Sequence, residues 1–343
     1  DDLQNTYRMP GKSVQDFYCY DLPILAPADG YVVTLEDGIP DNEIGGVNLD
    51  KNWGNAIVIK HAEFLYSKIT HIRAGSFKVK LGDQVKKGDL LATCGNSGRS
   101  PEPHIHFQMQ STPYIGAKTL KYPLAYYISK KDNNFKFHSF EYPEEGDTIF
   151  KISPNKLISE AMKFVPGMTM RYEVEQDGKK ETVKWEVFTN ALNQAYLYCE
   201  STKSTAYFVN NDTLHYFTEF VGDKKSFLYQ FFIGAHKVLL AYYPKVEIKD
   251  ILPVDSFFSG VSKFFQDFVA PFRIYLNASY VSEFIEIDSE MDPKYVKMKS
   301  KAVAHVGAKK AKEIDFEIEF KEDSIHTIKV KEGEKCITAV KIS

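Results

Sequence analysis

The sequence predicts a mainly β protein: an antiparallel β domain over residues 1–130, then a β-rich carboxy-terminal region with one helix. Three observations carry this expectation. Short β-branched and aromatic runs, separated by Gly, Asp and Asn turns, recur from residue 24 to residue 110. Residues 168–175 and 182–187 alternate apolar and polar side chains around Gln176-Asp177-Gly178, a hairpin signal. Residues 314–321 alternate apolar and charged residues without interruption. With 343 residues, 43% of them hydrophobic, the chain is long enough for two or three domains and a substantial core.

Taken in order, Ala26-Pro27-Ala28-Asp29-Gly30-Tyr31-Val32-Val33 leads into an early strand. Residues 54–61 form an apolar strand ending at His61, and residues 68–72 form a strand that carries His71. Residues 77–81 alternate at period two, as a half-buried strand should, and Gly82-Asp83-Gln84-Val85-Lys86-Lys87-Gly88 is a turn. Residues 111–143 read as the exit from this domain, with a loop at Asp132-Asn133-Asn134, and residues 131–155 as a linker or docking segment. Residues 156–343 divide into 156–270 and 271–343. Strands are expected at 195–199, 205–209 and 215–220, a helix at 227–242, and strands again from Arg273 to Ser343.

Composition excludes some functions. A net charge of −3 gives no electrostatic basis for nucleic-acid binding. The cysteines Cys19, Cys94, Cys199 and Cys336 show no Cys-x-x-Cys spacing, and nothing in the spacing pairs Cys19 with Cys94. No apolar run reaches the ~18 residues of a membrane span. The start at Asp1 rather than Met implies a processed or trimmed amino terminus. Asp315, Glu317 and Glu319 read as a solvated sheet face, as do Lys297, Lys299 and Lys301. His138, His215, His236, His305 and His326 match no ligand spacing and read as structural. No phosphate loop, dinucleotide fingerprint or Gly-x-Ser-x-Gly motif is present.

The most informative stretch is Pro103-His104-Ile105-His106-Phe107, approached through the turn-rich Gly95-Asn96-Ser97-Gly98. In an extended strand His104 and His106 share one face, while Ile105 and Phe107 point into apolar packing. Together these motifs resemble the closing segment of the lysostaphin/LytM-type zinc metallopeptidases, the bacterial cell-wall endopeptidases. The motifs at 26–33, 54–61, 68–72 and 82–88 are similar to the same family in the same order. The resemblance spans about residues 15–112.

Amide hydrolysis near neutral pH needs an activated water. Zinc supplies one by lowering the pKa of its bound water toward ~7, using imidazole and carboxylate ligands and one open position. The resemblance implies an antiparallel β domain with its site in a groove. It also implies His106 as a metal ligand and His71 and His104 as the acid/base and oxyanion pair. The remaining ligands in that family are a histidine and an aspartate, often spaced His-x-x-x-Asp.

Here the sequence departs from the pattern. The matching stretch offers Asp21, or alternatively Asp16, but Phe17 and Lys12 stand four residues before them, and no histidine precedes His61. The third ligand is left open, with Gln15, Cys19 and His61 as substitutes. The expectation is one pocket shared by Asp21, His71, His104 and His106, with zinc weakly held or absent. Two functions follow: an exported zinc endopeptidase cutting the peptides of peptidoglycan, or a degenerate homologue that binds wall peptide or regulates a hydrolase. The retained histidines favour the enzyme. The carboxy-terminal region is a candidate surface for a protein partner.

Overall fold

The computed structural model describes residues 5–131, 134–258, 266 and 274–342. Asp132, Asn133, Arg273 and Ser343, which bound elements of the sequence reading, lie outside the described residues, as does the 270/271 boundary. The protein is mainly β, as its alternation predicts, and forms two compact units, Asp1–Tyr122 and Pro123–Ser343.

In the first unit, β1 (Pro23–Leu25), β2 (Gly30–Glu36), β3 (Asn55–Ala62), β4 (Leu65–Ile72), β5 (Gln84–Val85), β6 (Leu90–Thr93) and β7 (His106–Gln110) follow in sequence. Five of them make one antiparallel sheet in the order β5-β2-β3-β4-β7, and β1 pairs with β6. Ile57, Ile59, Ile69, Ile72, Val85 and Leu91 fill the core. Burial of β3 along most of its length explains its near-continuous apolar text.

Two expectations are corrected here. Residues 77–81 form no strand: Lys78 N bonds Leu91 O at 2.8 Å, while Phe77 and Val79 pack on the core from an irregular segment. Alternation there reflects half-burial without a ladder. Ile105 and Phe107 are 45% and 43% exposed rather than packed away, and Ile105 precedes β7, which begins at His106.

The second unit opens with β8 (Leu124–Lys131), β9 (Asn134–Glu141) and β10 (Thr148–Phe150), an antiparallel sheet in the order β10-β8-β9. Helix α1 (Lys156–Ala161) follows, capped by the Asn155 side chain, which accepts from Ile158 N. Then come β11 (Thr169–Gln176), β12 (Lys179–Thr189), β13 (Ala195–Cys199), β14 (Ser204–Asn210), β15 (Leu214–Val221), α2 (Phe227–Gly234), β16 (Lys237–Leu239) and β17 (Glu247–Ile251). The chain ends with β18 (Leu276–Ile287), β19 (Tyr295–Val306), β20 (Lys309–Lys321), β21 (Ser324–Glu332) and β22 (Lys335–Lys341).

Strands β11 to β22 make one twelve-stranded sheet in which β11 pairs with β22, joining two meanders, and β16 and β17 are the ends. Those ends approach each other, so the sheet curls into a near-barrel. Helix α2 is apolar on every side but that of Gln230 and is buried against strands of both meanders, as such a helix must be. The helix expected at 227–242 stops at Gly234, where a Cβ would stand 2.6 Å from the Phe316 ring, and Lys237–Leu239 continues as strand.

The lysine and acidic stripes meet in register: Lys297 faces Glu319, Lys299 faces Glu317 and Lys301 faces Asp315 across β19 and β20. Lys297 Nζ lies 2.9 Å from Glu317 and Lys301 Nζ 3.2 Å from Asp315. The two faces read separately from the sequence are one ion-paired surface.

Candidate histidine site

His71, His104 and His106 come together: the His71 ring lies 4.7 Å from that of His104 and 6.2 Å from that of His106, centroid to centroid. A bulge aims the first of them. Asn55 pairs with Ile72 and Ala56 with Thr70, leaving His71 as the extra residue, with a left-handed φ of 64°. Bulges re-aim side chains in this way, and such backbone strain gathers at functional sites.

Each ring is oriented by a hydrogen bond that fixes its tautomer. His71 Nδ1–H donates to Ser97 O at 2.8 Å, His104 Nδ1–H to Glu102 O at 2.9 Å, and His106 Nε2–H to Gln108 Oε1 at 2.9 Å. The lone pairs then reside on Nε2 of His71, Nε2 of His104 and Nδ1 of His106. Burial pushes the His71 pKa down to about 4 against the opposing pull of the Ser97 carbonyl, and His104, His106 and Lys68 add to the fall. His71 is therefore neutral near pH 7.

The loop beneath the histidines is held by close backbone packing. Gly98 has φ +81°, and a Cβ on it would lie 2.3 Å from Gly54 N. Asn42 Nδ2 donates to the carbonyls of Asn96, Gly98 and Ser100 at 2.9, 2.7 and 3.0 Å. Asp41 accepts from Asn96 N and from the Tyr20 hydroxyl, both at 2.8 Å. Burial, then the hydrogen bond to Asp41, pushes Tyr20 up to about 12. Ser97 Oγ accepts from Asn55 N at 3.0 Å and donates to Ile72 O at 2.8 Å.

Sequence reasoning missed the polar residues that line the same sheet face. Lys68 pairs with Gln108 and Thr70 with His106 across β4 and β7. Lys68 is fully buried, donates to Ile115 O at 2.6 Å and places its ammonium 3.2 Å over the Trp53 ring. Burial pushes its pKa down to about 8, so it stays mostly charged at neutral pH. Gln108 Nε2 donates to Gln110 Oε1 and Ala117 O at 2.9 and 3.0 Å. Polar residues at period two in His106-x-Gln108-x-Gln110 were the available signal.

The other expected ligands are engaged elsewhere. Asp21 takes a left-handed φ of 62° and its carboxylate lies 2.6 Å from Arg73 Nη1. Arg73, then Thr93, holds its pKa below the usual carboxylate range. Asp16 Oδ2 caps a short turn, accepting from Lys12 N and Ser13 N at 2.9 and 3.0 Å. Phe17 is buried against Tyr7, and Gln15 bonds Ser13. His61 bridges Asp29 O and Ser67 Oγ at 2.7 and 2.8 Å. The Cys19 thiol donates to Pro103 O at 3.0 Å.

A catalytic zinc takes three protein donors. Among the described residues, no group of three or more His, Cys, Asp or Glu side chains is arranged to hold a metal ion. A buried ammonium beside the histidines further opposes a dication. The residues present do not fit the three-ligand site of the family.

The remaining histidines hold other positions. His138 bonds Ser129 Oγ and Glu141 Oε2 at 2.8 and 2.7 Å. His215 is wholly buried among Phe164, Phe208 and Phe217.

Comparison with known proteins bears on the first unit. The Peptidase family M23 profile matches residues 13–116. The cell division protein DipM of Caulobacter vibrioides is 31% identical over 96 residues, covering 28% of this chain and 14% of that protein. Peptidoglycan DD-endopeptidase ShyA of Vibrio cholerae is 30% identical over 115 residues, 32% of this chain and 26% of its own. Glycyl-glycine endopeptidase ALE-1 of Staphylococcus capitis is 24% identical over 178 residues, 46% of each chain. The chain thus spans less than half the length of each of these relatives. Its residues 13–116 are a domain of peptidase family M23, of the lysostaphin/LytM type.

Proposed function

We propose that the M23 domain recognises peptides of bacterial peptidoglycan outside the cytoplasm and does so as a degenerate, zinc-poor homologue rather than a hydrolase. One observation carries this reading: the carboxylate best placed by sequence to bind metal, Asp21, is held by Arg73 at 2.6 Å. No three-donor group replaces it among the described residues. Recognition needs no metal ligation, and His104 and His106 are the solvent-accessible groups of the cluster that would meet a peptide. Activity on peptidoglycan in the relatives, named in ShyA, supports the ligand class. An exported location rests on the same likeness.

The second reading, a zinc endopeptidase, has one observation in its favour. The rings of His104 and His106 are clustered around His71, and this reading puts His71 and His104 in the catalytic roles and Asp21 and His106 as ligands.

Purified protein incubated with sacculi separates the two readings. The recognition reading expects co-sedimentation weakened by His106→Ala, with no new amino termini released in the presence of zinc. Release of amino termini that is abolished by a chelator and by His106→Ala would establish the enzyme.

A further inference from the structure

We propose that Cys19 and Cys94 are a redox pair that closes into a disulfide in an oxidising compartment. Cys19 lies on a turn that is hydrogen-bonded along the segment carrying Cys94. The backbone holds them there: Asp21 N donates to Cys94 O and Cys94 N to Leu22 O, both at 2.9 Å, while Leu22 N donates to Cys19 O at 3.1 Å. The turn carrying Cys19 is thereby laid across the end of the strand carrying Cys94, and the pairing continues from Pro23 to Thr93. A pair far apart in sequence but fixed side by side is what a disulfide requires, because its geometry tolerates little displacement.

Cys19 is half-buried and Cys94 is 1% exposed, so the exchange begins at Cys19. Its thiolate attacks one sulfur of a donor disulfide, such as oxidised glutathione or a disulfide-bearing oxidoreductase, and one donor thiolate leaves. The Cys94 thiolate then attacks the Cys19 sulfur of the mixed disulfide and displaces the second donor thiolate. Two protons and two electrons pass to the donor, which ends as two thiols.

The bond has a consequence at the histidine site. Reduced Cys19 donates its S–H to the carbonyl of Pro103, the residue before His104. Oxidation removes that donor and replaces it with a covalent tie between the turn bearing Asp21 and the segment that leads to Ser97, which orients His71. The inference does not depend on whether the domain cleaves or only binds.

The test uses the whole chain carrying Cys336→Ser, because Cys336 is exposed and would form intermolecular bonds. Folded protein is treated with oxidised glutathione, alkylated, digested and mapped by mass spectrometry. The expected product is a linked Cys19–Cys94 peptide pair about 2 Da lighter than the two reduced peptides combined. Melting temperature in the oxidised form should exceed that in dithiothreitol by more than about 5 °C. That difference should vanish in Cys19→Ser, which lacks one thiol of the pair. Alkylation of both residues after oxidation, or a stable glutathione adduct on Cys19 with Cys94 still a thiol, would overturn the proposal.

Discussion

Asp21 and Arg73 form a 2.6 Å ion pair between the turn before β1 and the segment after β4. In the sequence reading Asp21 is a metal ligand; in the structure its charge is satisfied by a guanidinium. A permanent cation there competes with any dication for the same carboxylate.

Zinc affinity should therefore be poor. Calorimetric titration of folded protein is expected to show no stoichiometric uptake at about 10 µM zinc, where a complete three-ligand site would saturate. The double variant Phe17→His, Arg73→Ala should bind zinc at least about tenfold more tightly than the parent. Tight uptake by the unaltered protein would mean that an unrecognised ligand completes the site.

Gly98 sits where both φ and space demand glycine. Gly98→Ala is expected to cost more than about 2 kcal/mol, from left-handed strain and from the clash with the backbone of Gly54. Urea unfolding of the variant would measure it, and a change within about 0.5 kcal/mol would contradict the packing described.

The Asn42 amide serves three carbonyls of the loop beneath the histidines. Asn42→Ala should destabilise the first unit by about 1–3 kcal/mol, since the vacated carbonyls are partly buried. Hydrogen exchange should quicken at Asn96, whose N–H donates to the neighbouring Asp41. Unchanged exchange there would show that the loop holds itself.

His215 is wholly buried, with neither ring nitrogen hydrogen-bonded among the described residues, and burial pushes its pKa down to about 3 from 6.5. With the folded value below the unfolded one, the unfolded chain binds the extra proton between these limits. This contribution is complete above pH 6.5 and is lost as pH falls toward about 3. Near pH 5 the loss is about 2 kcal/mol. His215→Phe should remove it, so the variant's stability should fall less on acidification, as denaturant titrations at two pH values would show. Equal losses in both proteins would argue against a neutral buried imidazole.

Much of the fold was legible because strand alternation survives wherever one face is buried. The strands at 195–199, 205–209 and 215–220 correspond closely to β13, β14 and β15. The histidine cluster was also legible through the ordered motifs that carry His71, His104 and His106, although β7 begins only at His106 and the rings of His104 and His106 meet at His71. What was not legible is the tertiary pairing of side chains distant in sequence. The bulge that frees His71 depends on how β3 registers with β4, and the capture of Asp21 by Arg73 depends on a turn laid beside an unrelated segment. The burial of Lys68 had no local signal, because nothing in its own strand announces that the Ile115 carbonyl will accept from its ammonium.

The near-closure of the twelve-stranded sheet bears on how this protein survives crowding. An open sheet of that width would expose two rows of unpaired amides and carbonyls, each a template on which another copy could stack. Here the terminal strands are short, Lys237–Leu239 and Glu247–Ile251, and they face each other. The longest strands, β18 to β20, lie inside the order with a neighbour on either side. Strand addition to this sheet thus finds little purchase, even though its strands carry the β-rich sequences that favour it.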